Sequence, residues 1–205
     1  MQKHLGVWAS ALCLLTISLS MVPVIAEAQV IDQDQPNGPS YMAAFSQTDL
    51  AQSFIPGLAE SVGAGILLQS GIGTTDTVTI QLWTDLPNVG GATMLAQASA
   101  IGTAGNWVDV YWSSVTLTVG QTYYLVFVGN TTLGIAGDTS DPYPDGQVYA
   151  NGGFGSFPTY DYAFRTWAAQ AGGAGAIPDL GGWGILVLVL LVATAGWVLT
   201  RRLLG

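Results

Sequence analysis

The chain has 205 residues, half of them hydrophobic and only 8% charged, with a formal net charge of −9 at neutral pH; this is length enough for one domain once targeting segments are set aside. Between Gln29 and Gly175 a single base, Arg165, stands against eleven acids, and a stretch at about −10 repels phosphate backbones and argues against nucleic-acid binding. The only cysteine, Cys13, and the only histidine, His4, lie in the first fifteen residues. If that segment is removed, disulfides, Cys/His zinc sites, thiol nucleophiles and histidine bases are all excluded from the rest.

The first element is that segment. Lys3 and His4 form a short basic head, an apolar stretch runs from Leu5 to about Ile25, and Ala26-Glu27-Ala28 places small residues at −3 and −1 for cleavage before Gln29. This is the three-part pattern of a secretory signal peptide over residues 1–28. Cys13 does not make a lipoprotein site, because Leu12 precedes it and the apolar run continues past it.

Residues 29–169 read as strands. In "TVTIQLWTD", Val78, Ile80 and Leu82 alternate with Thr79, Gln81 and Trp83. In "NWVDVYW", Val108, Val110 and Trp112 alternate with Trp107, Asp109 and Tyr111. Val115, Leu117 and Val119 lead into a Gly120-Gln121 turn, then Tyr123, Leu125 and Phe127 follow on one face. In "YDYAFRTW", Tyr162 and Phe164 lie opposite Ala163, Arg165 and Trp167. Clusters such as "DLPNVGG", "GTAGN" and "DPYPDG" separate these runs. Period-two patterning with frequent turns predicts an all-β fold, an antiparallel β-sandwich with a jelly-roll-like body of roughly eight to ten strands.

A small, uncharged Gly/Ala linker spans 170–176. Trp183 to Thr200 then gives eighteen residues without a charge, followed by Arg201 and Arg202. At ~1.5 Å rise per residue such a helix is roughly 27 Å long, enough to cross a bilayer core. The arginines stay cytoplasmic, which leaves the body outside. Ahead of the helix, Ile177, Pro178, Leu180, Trp183 and Gly184 match, position for position, an IPTLxxWG motif, with Asp179 where threonine is usual. Motif, helix and terminal arginines together resemble the C-terminal sorting signals of exosortase-processed bacterial proteins, the IPTL-CTERM class. The resemblance covers residues 177–205. It implies an exosortase-like processing enzyme as partner, a Gram-negative-type host, a precursor tethered to the inner membrane, and release to the cell surface or extracellular matrix. A permanent anchor is the other reading of the same helix. The strands around "AQSFIP", "TYYLVF" and "YDYAFRTW" loosely resemble the β-sandwich bodies that precede such tags.

Chemistry is sparser. Asp138, Asp141 and Asp145, with Asn151 nearby, lie in a Gly/Pro-rich loop, and oxygens so spaced are candidates for calcium, the one cofactor this sequence offers a place for. Asp32 and Asp34 join them if the N-terminal strand lies close. The bland alternative is a turn whose Asp side chains cap their own backbone. Trp83, Trp107 and Tyr111 are candidates for stacking on a surface or extracellular polysaccharide, with Tyr143, Tyr149 and Tyr160 on outward faces or loops. Strands favour aromatics regardless of ligand, so packing is the competing account. Asp138, Asp141 and Asp161 are available carboxylates, but nothing fixes a pair for acid/base work, and no enzyme activity is expected. Arg165 is expected to pair with an aspartate such as Asp161 or to stack on Trp167. The expectation is an exported, non-catalytic surface or matrix sandwich, with a carbohydrate-binding module as the alternative.

Overall fold

A computed structural model describes residues 29–129 and 133–170. The expected signal segment with its Ala26/Ala28 site, the linker beyond Gln170, the sorting motif and the apolar helix with Arg201 and Arg202 lie outside the described residues. Within them the chain is all β and antiparallel. The elements are β1 (Gln29–Gln35), β2 (Ser40–Ala44), β3 (Leu50–Phe54), β4 (Glu60–Leu67), β5 (Thr75–Trp83), β6 (Met94–Thr103) and β7 (Trp107–Thr116). They continue with β8 (Tyr123–Gly129), β9 (Gly134–Asp138), β10 (Val148–Ala150), β11 (Gly155–Phe157), β12 (Asp161–Tyr162) and β13 (Phe164–Ala169).

Two sheets carry the fold. One has four strands in the order β1-β13-β4-β7, the other six in the order β11-β10-β3-β8-β5-β6. A small third sheet, β12-β9-β2, forms beside them. A single cluster of buried side chains draws on both large sheets: Ala64, Ile66, Val108, Val110 and Phe164 from one, and Leu50, Phe54, Ile80, Leu82, Leu125 and Phe127 from the other. This is the sandwich core, and each of its Val, Leu, Ile and Phe side chains contributes about 1.5–3 kcal/mol on leaving water.

The alternation read in the sequence places these residues. Val78, Ile80 and Leu82 are fully buried, while Thr79, Gln81 and Trp83 face outward and are only partly covered. Val108 and Val110 point into the core. After β7 the pattern breaks: the strand ends at Thr116, Leu117 is buried, and Val119 is 54% exposed. Gly120 adopts φ +80 in the turn that reverses the chain into β8, a conformation glycine reaches without the Cβ penalty. More strands form than the eight to ten expected. The surplus comes from short pairings within 134–162, where three-residue and two-residue strands fit between turn-forming Pro, Gly and Asp.

Candidate functional site

The expected site residues fall into three separate places. On the outer face of the four-stranded sheet, β7 presents Trp107, Asp109 and Tyr111, and β13 presents Arg165 and Trp167. β4 runs between them and offers Gly63 and Gly65, which face Tyr111 and Asp109 on β7 and Trp167 and Arg165 on β13. Side chains of the two flanking strands therefore meet above a glycine floor. A Cβ on Gly63 would lie 2.8 Å from the Tyr111 ring and 3.4 Å from the Trp167 ring. Over this floor, Arg165 Nε donates to Asp109 Oδ1 at 2.8 Å and Nη2 donates to Oδ2. Trp167 Nε1 donates to the same Oδ1 at 3.0 Å. The guanidinium lies 4.3 Å from the centroid of Trp107 and 5.1 Å from that of Trp167. Tyr111 packs against Trp167 at 6.0 Å.

The structure thus corrects the expected partner of Arg165. It is Asp109, not Asp161, while the expected stacking on Trp167 is present and joined by Trp107. Asp109 accepts the planar fork in a bidentate pair, and that hydrogen bond raises the guanidinium pKa above its ordinary value. The pairing also changes the meaning of Trp107. One face of its indole is covered by Arg165, so it is first a member of a Trp–Arg–Trp ladder. Tyr111, 47% exposed, is the ring of this group most open to solvent.

Trp83 is elsewhere, on the outer face of the six-stranded sheet. Its Nε1 donates to Gln81 Oε1 at 2.9 Å, and Gln81 Nε2 donates to Gln97 Oε1 at 3.2 Å. That chain of bonds fixes the indole in the wall of a groove of about 380 Å³. The groove is completed by Gln47 and Asp49 before β3, Pro87 in the β5–β6 loop, Val128 on β8 and Phe154 in the β10–β11 turn. Asp49 Oδ2 accepts from Gly153 N at 2.7 Å, which ties two rims together. Asp49 and Phe154 both adopt left-handed φ, 59 and 56, an uncommon state for an aromatic residue. Asp49, Gln47 and Phe154 were not singled out in the sequence, since nothing in their local pattern separates them from ordinary loop residues. Trp83, Trp107 and Tyr111 therefore do not form one platform.

The acidic loop is the third place. Asp138 Oδ1 accepts from Ser140 N at 2.9 Å and Ser140 Oγ at 2.8 Å, and these bonds hold its carboxyl below the ordinary range. Among the described residues no three Asp, Glu, His or Cys side chains are grouped to hold a metal. The expected gathering of Asp138, Asp141 and Asp145, with or without Asp32 and Asp34, does not occur. Asp138 turns back to its own loop instead, the Asx capping that competes with metal binding. Asp32 accepts from Gly57 N at 3.1 Å, and Asp34 lies opposite Arg165 in the β1–β13 ladder.

Asp161 differs from the other acids, because it is fully buried. Its Oδ1 accepts from Gln52 Nε2 at 2.9 Å and its Oδ2 from Tyr143 N at 3.1 Å. Gln52 Oε1 in turn accepts from Tyr162 N at 2.9 Å. Burial raises the Asp161 pKa despite those bonds. The group joins β3, the acidic loop and β12. Tyr143, expected on an outward face or loop, lies in the loop between β9 and β10 with its side chain buried. Its ring meets Phe164 edge-on at 5.1 Å, its hydroxyl accepts from Ile55 N and donates to Gln33 Oε1, and burial pushes its pKa up to about 12. Tyr149 is half-buried against Tyr124, and Tyr160 stacks on Phe157 at the surface.

No protein-family profile matches the chain, and no curated protein matches it in sequence. Among solved structures it is similar to the cysteine protease and lectin-like domains of Cwp84, a surface layer associated protein of Clostridium difficile. Identity there is 14%, over 70% of this chain and 36% of that one, with a TM-score of 0.46. The clostridial cysteine protease Cwp84 after propeptide cleavage is similar at 13% identity over 70% of this chain and 40% of that one, with a TM-score of 0.47. The likeness takes in less than half of each protease chain and carries nothing about chemistry.

Proposed function

We propose that this chain is an exported, non-catalytic β-sandwich of the cell surface or extracellular matrix. Its precursor is held at the inner membrane by the helix over 183–200 and is processed by an exosortase-like enzyme at the Ile177–Gly184 motif. The observation that carries the reading is the ordered succession of motif, uncharged helix and Arg201-Arg202 behind a body with one base. The structure adds support of a different kind. The carboxylates that elsewhere serve as acids or bases are engaged in holding the fold: Asp109 by Arg165, Asp161 by Gln52 and Tyr143, Asp138 by Ser140, Asp49 by Gly153. The same reading takes the sandwich as a jelly roll, supported by two interleaved strand orders in which the chain passes repeatedly from one sheet to the other. Protease shaving of intact cells tests it: the body is digested from outside, whereas protection until the cytoplasm is opened refutes export.

A carbohydrate-binding role at the same place is the second reading. What favours it is the Trp83 groove, where a bond-fixed indole faces amide and carboxylate groups in a space of about 380 Å³, a size that suits a small ligand. With no base in the groove, a neutral sugar fits better than an anionic one. Glycan-array binding lost on Trp83→Ala and kept on Trp107→Ala would place the ligand there; no binding to any sugar leaves the purely structural role.

A further inference from the structure

We propose that β6 is the surface through which two copies of this chain associate, edge to edge, with β6 antiparallel to β6 of the second copy. The inference does not depend on export or on any glycan.

The argument begins with the sheet edges. An exposed strand edge offers unpaired N–H and C=O groups to another chain, and proteins blunt such edges with charge, bulges, proline or brevity. Three of the four edges of the two large sheets here are blunted. β11 has three residues. β1 carries Asp32 and Asp34 and shifts register between Ile31 and Asp34. β7 carries Asp109 and shifts register where Ser61 faces Val115 and Gly63 faces Tyr111.

β6 has none of these devices over most of its length. It runs ten residues, "MLAQASAIGT", without a charge or a proline. From Thr103 to Ala96 it pairs with Thr75 to Leu82 without a shift, the one irregularity falling beyond, at Trp83. Its other edge is unpaired among the described residues. Its inward row is short, Ala96, Ala98 and Ala100 remaining half-exposed, while Gln97, Ser99 and Ile101 point outward, Ile101 at 68% exposure. Around Ala98, Ser99 and Ala100 the small side chains leave room for a second strand at the usual spacing of about 4.8 Å.

Charge selects the occupant. A body at about −10 repels its own copy wherever its acids are displayed, and this uncharged strip is where that repulsion is least. Antiparallel pairing about a two-fold axis is self-complementary. It would continue outward the polar rows already formed across the sheet, Thr79 with Ser99 at 2.7 Å and Gln81 with Gln97 at 3.2 Å. Beside β6 an open cleft of about 740 Å³ runs to β7, lined by Leu95, Ala96, Tyr111 and Trp112.

The test uses the full chain in detergent, by light scattering on a sizing column across concentrations, with hydrogen exchange of the 94–103 amides. A concentration-dependent dimer is expected, with protection of those amides rising as it forms. Ser99→Asp sets like charges against each other near the pairing axis and is expected to weaken the dimer at least roughly tenfold, about 1.4 kcal/mol. Val89→Asp, on an exposed loop, leaves it unchanged. A chain that is monomeric throughout overturns the proposal, as does a dimer indifferent to Ser99→Asp, which would place association in the membrane helix or on another face. Protection of 94–103 that does not vary with concentration also overturns it, because the chain's own segment would then cover the edge.

Discussion

Replacing Arg165 with methionine keeps most of the apolar stem and removes the fork that links β7 to β13 across β4. The side chains of Arg165 and Asp109 are 21% and 20% exposed, which puts the pair between two known limits. A fully exposed ion pair contributes no more than about 1 kcal/mol; removing one partner of a fully buried pair costs about 3–5 kcal/mol. Here Asp109 keeps one bond, from Trp167 Nε1, and two indole contacts of about 0.5–1 kcal/mol each are lost with the guanidinium. The expected loss is about 2–3 kcal/mol. At an m-value near 2 kcal/mol/M, urea unfolding followed by far-UV circular dichroism should show the midpoint fall by about 1 M. A double-mutant cycle with Asp109→Asn should return a coupling of about 1 kcal/mol or more. A midpoint shift below about 0.3 M, or a coupling near zero, would refute the ladder as a structural element and return Arg165 to the status of a surface charge.

Two further expectations concern the same architecture. Gly63→Ala drives a Cβ onto Val110 O, a backbone atom that cannot rotate away, and against the Tyr111 ring at 2.8 Å; a loss of about 1–3 kcal/mol is expected by the same unfolding assay, and an unchanged midpoint would show that β4 and β7 separate easily. Asp161→Asn presents an amide N–H to either Gln52 Nε2 or Tyr143 N and leaves one donor unmatched, at about 1–3 kcal/mol. The native pKa of Asp161 is raised from 3.8 by burial, so the folded state binds more protons there than the unfolded chain does. Its contribution is greatest below 3.8 and declines as pH rises through the window above that value. The gap between wild type and Asp161→Asn should therefore narrow with rising pH across that window, and a gap that widens would mean that the bonds to the carboxylate outweigh its desolvation.

The strands were legible in the sequence where one face is wholly apolar. Val78, Ile80 and Leu82 against Thr79, Gln81 and Trp83 fixed both the element and its facing, because a one-residue slip would expose the whole set. Residues 134–162 were not legible in the same way. Their strands are two to five residues long, too short for a period to show, and are held by long-range contacts such as Gln52 to Asp161 and Tyr143 to Gln33. No local pattern announces a buried glutamine or says that a Pro-flanked tyrosine will turn inward. For Arg165 the need for an acidic partner was readable from its solitude, but the choice of Asp109 depends on which strands flank β4. Likewise, three aspartates in one loop looked like a cation site by spacing, but among the described residues they are not grouped, and Asp138 caps its own turn. The groove around Trp83 escaped for the opposite reason, since its walls come from loops distant in the chain.

The central claim is that this sandwich is exported and cut at both ends. It is tested most directly by the intact mass of the protein recovered from cell envelope and from medium. The account predicts a species that begins at Gln29 and ends near Ile177. A sole species that retains Arg201 and Arg202 would contradict processing and leave a permanent anchor, and one that also retains the first 28 residues would contradict signal cleavage.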